Sequence, residues 1–169
     1  MILLCYDGSA DAQAAIDQAG LLMAGSEATV LVIWETILET MTRHGSLGMG
    51  MIGLYGDDGA NAAIKQAAVD TAAAGVQRAA GAGLVAQPRV VNRNEDIAAA
   101  VLSEAADLGA SVIVLGTRGL GSVKSLMLGS VSHAVLHHAD RAVLVIPSPG
   151  LAEQRHRWAE HAQLTVGVT

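Results

Sequence analysis

VIVLGTRGLGSVKSLMLGS, Val112 to Ser130, is the stretch on which the fold turns. Val112 to Leu115 are apolar throughout and predict a buried strand, while the pattern from Val131 onward predicts a helix opening at Ser130. Glycines at the carboxyl end of a buried strand, with a Gly-Ser pair at a helix start, suit an anion. Without Cβ atoms, Gly116 and Gly119 would let the backbone come close to a ligand. The first N–H groups of the helix and the Ser130 hydroxyl would then point at a phosphate.

Two common phosphate motifs fail on spacing. After Gly119 a P-loop needs four residues and then Gly-Lys-Ser, but the chain reads Leu-Gly-Ser-Val-Lys124-Ser125, with no glycine before the lysine. A dinucleotide fingerprint beginning at Gly119 needs a third glycine where Lys124 stands.

Outward from this stretch, apolar runs alternate with longer helical patterns, which predicts βα units and a parallel sheet covered on both faces. Strands are expected near 1–6, 28–35, 85–91, 111–116 and 142–147. Helices are expected near 10–24, after Ser9 as N-cap, near 60–81 in an alanine-rich run, near 95–108, and from Ser130 to just before Asp140. The fold class is therefore α/β: one doubly wound open sheet of five parallel strands in the order 3-2-1-4-5. Its ligand crevice falls where the connections change direction, between the first and fourth strands. Asp7 and Gly116 follow those two strands and should face each other across it.

Composition narrows the function. The chain has 169 residues, suited to one domain, and carries 16 acidic against 10 basic residues for a net charge of −6. That sign, with no basic run, argues against nucleic acid as a partner. Met1 to Tyr6 is too short to span a bilayer and lacks the basic flank of a secretion signal, and no later apolar run is long enough, so no membrane association and a cytoplasmic location are expected. Cys5 is the single cysteine and reads as buried packing rather than a redox centre. Phe is absent and Trp and Tyr number two each, so a base in the crevice would be held by aliphatic side chains and backbone.

Glycine, two residues, glycine, nine residues, glycine, serine, over Gly116 to Ser130, resembles the ATP-binding signature of the universal stress protein family. Met1-Ile-Leu-Leu-Cys-Tyr-Asp7-Gly-Ser resembles that family's first strand and acidic turn, and Ala142-Val-Leu-Val-Ile-Pro147 its last strand. The resemblance covers residues 1–148 as one domain and leaves 149–169 as a carboxyl-terminal extension. It implies an ATP site formed by Cys5, Tyr6 and Asp7 after the first strand, by the backbone near Glu35 at the base, and by Leu115, Gly116, Thr117, Arg118 and Gly119. Gly129, Ser130, Val131 and Ser132 complete it. It also implies Mg²⁺ carried by the ATP phosphates, with Asp7 able to meet it, and a stress-response sensor or switch with at most slow hydrolysis or self-phosphorylation. Three departures stand out: Trp34 where the family often has histidine, Cys5-Tyr6 in place of a smaller pair, and no glycine in Val91-Asn92-Arg93.

Other readings are weaker. An adenylyl or phosphoryl transferase of the wider superfamily would carry Ser-Gly-Gly-x-Asp-Ser where this chain has Asp7-Gly-Ser-Ala-Asp11. A scaffold without nucleotide would have no use for the intact glycine loop. His133 and His137 have chelating spacing, but no carboxylate or cysteine completes a set, so no protein metal site is expected. Gly-x-Ser-x-Gly is absent at every strand-to-helix turn, and no catalytic residue is assigned. Arg118 and Lys124 could offset phosphate charge. The Gly- and Met-rich segment Thr36 to Gly59 reads as a mobile connection, and the tail after Pro149 as a short docking helix. The last strand, apolar on both faces at the sheet edge, predicts a homodimer pairing Ala142 to Ile146 with its own copy.

Overall fold

The computed structural model describes residues 1–36, 58–92, 96–119 and 128–166; Arg93, Lys124 and the greater part of the Thr36 to Gly59 connection lie outside them. Five strands, β1 (Ile2–Cys5), β2 (Glu27–Trp34), β3 (Val85–Asn92), β4 (Val112–Gly116) and β5 (Ala142–Ile146), form one parallel sheet in the order β3-β2-β1-β4-β5. The helices are α1 (Ala10–Leu22), α2 (Asp58–Gly81), α3 (Ile97–Asp107), α4 (Ser130–His138) and α5 (Pro149–Val166).

Side chains alternate across the sheet because a strand has a period of two. Ile2, Leu4 and Tyr6 face α1 and α2, in a cluster with Ala12, Ala15, Ile16, Ala68 and Ala72. Leu3 and Cys5 face α3 and α4, in a cluster with Leu31, Val101, Ile113 and Val135. The alanine stripe of α2 brings its backbone close to the sheet. A Cβ on Gly75 would lie 2.8 Å from both the Tyr6 ring and Val30 Cγ1, so glycine there seats the tyrosine ring under the helix. Tyr6 is accordingly a core side chain, 8% exposed.

Local signals start the helices. Gly8 turns the chain out of β1 at φ +82°, and Ser9 caps α1 by accepting from the Ala12 N–H at 3.2 Å. Asp96 does the same for α3, accepting from the Ala98 N–H at 2.8 Å. The carboxyl end of α3 is satisfied from outside: Arg141 Nη1 donates to the Ala105 and Ala110 carbonyls at 2.6 and 2.8 Å. Arg89 on β3 forks onto the nearly buried Glu104 of α3 at 2.8 and 3.3 Å. Arg78 of α2 grips Asp17 of α1 at 2.8 and 2.5 Å.

The two edges of the sheet differ. β3 carries the exposed Pro88 and Arg89, whereas β5 is apolar, with Val143 and Val145 packed on one cluster and Leu144 and Ile146 on the other. The tail is a longer helix than its sequence suggests, spanning 18 residues, with Leu151 buried and Trp158 68% exposed.

Candidate functional site

Connections run outward in opposite directions from β1 and β4, whose registers pair Leu4 with Val114, and this leaves a crevice at their carboxyl ends. A cavity of about 680 Å³ occupies it. One side is apolar, formed by Leu31, Ile33, Ile97, Val101 and Leu115; the other carries Asp7, Arg118, Gly119, Gly129, Ser130 and Ser132. That volume and lining suit a small molecule with a flat apolar part and a polar or charged part.

Of the residues expected from sequence, Cys5, Tyr6, Asp7, Leu115, Gly116, Arg118, Gly119, Gly129, Ser130, Val131 and Ser132 all line this cavity, and Glu35 and Thr117 do not. Thr117 is buried behind the loop. Its N–H donates to the Ile146 carbonyl at 2.8 Å, and its own carbonyl accepts from the Gly129 N–H at 2.9 Å. It therefore joins β5, β4 and the start of α4. Ala12, Leu31, Ile33, Ile97 and Val101 were missed in sequence. The period of two along β2 and the register of Cys5 with Leu31 place Leu31 and Ile33 on the Cys5 face, a signal that was there to be used.

The glycines also make close approaches within the protein. A Cβ on Gly116 would lie 2.7 Å from the Asp11 carbonyl carbon and Cβ and 2.8 Å from the Ala12 nitrogen. Its small size is needed where β4 meets the first turn of α1. A Cβ on Gly119 would meet the Asp7 Oδ2 at 2.6 Å, and one on Gly129 would meet the Thr117 carbonyl at 3.0 Å. All three are close-approach positions within the protein, and together they draw β4, its loop and α4 around Asp7 and α1.

Asp11 is the residue that sequence reasoning overlooked. It is 6% exposed, accepts the Arg118 N–H on Oδ2 at 3.1 Å, and holds the Arg118 guanidinium 3.8 Å from the same oxygen. Arg118, read in sequence as a cation for phosphate, is therefore tied to a carboxylate of the protein. Replacing Asp11 by alanine is expected to destabilise the fold by about 1–3 kcal/mol, because it removes the buried acceptor of the Arg118 N–H and the carboxylate beside its guanidinium. Asparagine, which keeps the acceptor, should recover part of that. Urea denaturation of the three proteins measures it, and equal midpoints would show that Asp11 does not support the loop.

Asp7 Oδ1 accepts the Ser9 N–H at 3.0 Å, which fixes the turn between β1 and α1. Burial, and then the Asp7 charge, push the Cys5 thiol up to about 12, which favours the protonated thiol at neutral pH. Ser132 donates from its hydroxyl to the Gly116 carbonyl at 2.8 Å, which anchors α4 to β4. Ser130 is exposed at the rim, and its preceding residue Gly129 makes no side-chain cap to the helix, so the leading N–H groups of α4 face the polar wall without a side-chain acceptor from that position. Among the described residues no group of three or more His, Cys, Asp or Glu gathers as a metal site, and no helix is long and apolar enough to cross a membrane.

A family model described as the universal stress protein family matches residues 1–147. The universal stress protein YxiE of Bacillus subtilis is 27% identical over 145 residues, covering 86% of this chain and 97% of its own length. Among solved structures, the hypothetical protein MJ0577 superposes with a TM-score of 0.67 at 18% identity, covering 86% of this chain and 94% of that one. A universal stress protein from Archaeoglobus fulgidus, solved in complex with dAMP, superposes with a TM-score of 0.55 at 15% identity, over 86% and 95% of the two chains.

Proposed function

The chain belongs to the universal stress protein family, and on that premise we propose that it is a cytoplasmic adenine-nucleotide-binding protein, taking ATP with Mg²⁺ in the β1–β4 crevice and serving as a stress-response sensor or switch. The observation that carries this reading is the polarity of the cavity, which runs from an aliphatic wall to the glycine loop and the start of α4. Leu31, Ile33, Ile97, Val101 and Leu115 would hold the base, in keeping with the scarcity of aromatic residues. Phosphates would lie toward Gly119 and the start of α4 at Ser130, where the leading N–H groups of the helix and a hydroxyl favour negative charge. Asp7, the carboxylate on that wall, would meet the Mg²⁺, which screens phosphate charge. The dAMP bound in the Archaeoglobus fulgidus protein supports adenine as the base.

Binding rather than dedicated catalysis is the reading, with at most slow hydrolysis or self-phosphorylation. Asp7 is engaged in the turn and Cys5 is held protonated, so neither is poised as general base or nucleophile. Heating the purified protein and separating the released small molecules is expected to yield ATP. In calorimetric titration, Ser130→Ala should weaken ATP roughly ten- to hundredfold, the equivalent of one hydrogen bond to a charged acceptor, and leave adenosine unchanged. An empty protein that also ignores added ATP would instead mark the fold as a nucleotide-free scaffold.

The same proposal includes a homodimer through β5. This strand is an edge, and its apolar side chains are only half-buried in one chain; pairing with a second copy across a twofold axis would satisfy its outer hydrogen bonds. Val145→Pro, which removes one N–H and fixes the local backbone, should shift the protein toward monomer. Light scattering over a dilution series is the measurement, and a monomeric wild type at tens of micromolar, roughly the range where a stable dimer persists, would end the idea.

A further inference from the structure

On the exposed face of α4, one turn beyond the start of the helix, the geometry points to a second ligand site: a two-histidine chelate, His133 with His137, for a transition-metal dication of the copper, nickel or zinc kind. The two residues are four apart on a nine-residue helix, the spacing that sets side chains one above the other. Both are exposed, and their rings already lie parallel within 6°, with centroids 6.3 Å apart. Their spacing along the helix is that by which helical His pairs elsewhere hold zinc. The ordering of the two donors is achieved when the helix folds, so the metal need not gather them.

In sequence the pair was set aside for want of a third ligand. A closed site needs that ligand, whereas an open chelate does not. Among the described residues no third His, Cys, Asp or Glu joins the pair, so water would complete the coordination and affinity should follow the intrinsic preference of imidazole: Cu²⁺ above Ni²⁺ and Zn²⁺, with Mg²⁺ excluded. This separates the site from the crevice, where the expected cation is Mg²⁺. His138 lies edge-on to His137, with ring centroids 4.8 Å apart and planes at 79°. Two further features favour a cation here. His137 is in the last turn of α4, near the negative end of the helix dipole, and the chain as a whole carries −6.

The test is calorimetric titration of the full, untagged and nucleotide-free chain with the chlorides of Cu²⁺, Ni²⁺, Zn²⁺ and Mg²⁺. One saturable site for the first three, tightest for Cu²⁺, and none for Mg²⁺ is the expected result. His133→Ala and His137→Ala should each weaken Ni²⁺ by at least about tenfold, while His138→Ala and His156→Ala leave it unchanged. Because all four side chains are exposed, circular dichroism should show the fold intact. Selective broadening of the His133 and His137 ring resonances by substoichiometric Cu²⁺ tests the same pair in the unmodified protein. Absence of saturable Ni²⁺ and Zn²⁺ binding, unchanged affinity in the His133 or His137 variant, or an equal loss on removing His138 or His156 would each overturn the assignment.

Discussion

Gly129→Val is expected to weaken the proposed ATP binding by roughly ten- to hundredfold while the protein remains folded. A Cβ at this position already approaches the Thr117 carbonyl to 3.0 Å and the Arg118 Cα to 3.4 Å, and the two γ-carbons of valine add bulk between this segment and the cavity that Gly129 lines. Relief comes from pushing residues 117–119 away from the start of α4. That movement breaks the Gly129 N–H to Thr117 carbonyl bond of 2.9 Å and opens the polar wall on which the phosphates are proposed to lie. Overpacking of this kind costs about 1–3 kcal/mol; if it falls on the bound state, affinity drops by roughly ten- to hundredfold. Titration of the folded variant with ATP is the measurement, with Gly129→Ala as the milder member of the series. Wild-type affinity in the valine variant would show that the loop and the ligand are independent.

Gly116→Ala has its largest effect on stability. The added methyl would stand 2.7–2.8 Å from three atoms, the Asp11 carbonyl carbon, Asp11 Cβ and the Ala12 nitrogen, a distance that close-packed interiors do not hold without movement. Gly116 is not among the glycines with positive φ, so the cost is steric and not conformational. A loss of about 1–3 kcal/mol or more is expected in urea denaturation, a large share of the roughly 5–15 kcal/mol that holds a domain of this size together. Gly81→Ala is the matched control. Nothing lies within 4 Å of a Cβ there, and Gly81 closes a helix, so alanine should be neutral or add up to about 1 kcal/mol. If both variants unfold at the same urea concentration, α1 and β4 are not in the contact described.

The strands, the helices and the strand order were legible because each is written locally. Val112 to Leu115 and Ala142 to Ile146 are uninterrupted apolar runs, as strands buried on both faces require, and Ser9 announces α1. The crevice followed from the order of elements, which places Asp7 opposite Gly116 without any knowledge of side chains. What escaped were facts that depend on two distant segments at once. Arg118 is joined to Asp11 across 107 residues, and nothing in either neighbourhood says that the arginine is already paired. Gly116 and Gly129 were recognised as places where something must come close, but a glycine does not state what approaches it. Tyr6 and Cys5 could have been told apart by parity along β1: Leu4 and Tyr6 pack on the α1 and α2 face, and Cys5 packs on the α3 and α4 face. The length of α5 was underestimated because its polar composition gives no stripe strong enough to count turns by.

The unequal edges of the sheet set a limit on growth. Strand-by-strand addition, the route by which exposed sheets run on into fibrils, needs an available ladder of donors and acceptors at both ends of the stack. Here one end is broken by Pro88, which has no N–H to offer, and flanked by Arg89, held in place by Glu104. Only the β5 side can be extended. Two copies meeting there, as proposed above, would leave a ten-stranded stack with a proline-bearing strand at either end, so addition at this edge would terminate itself after a single step.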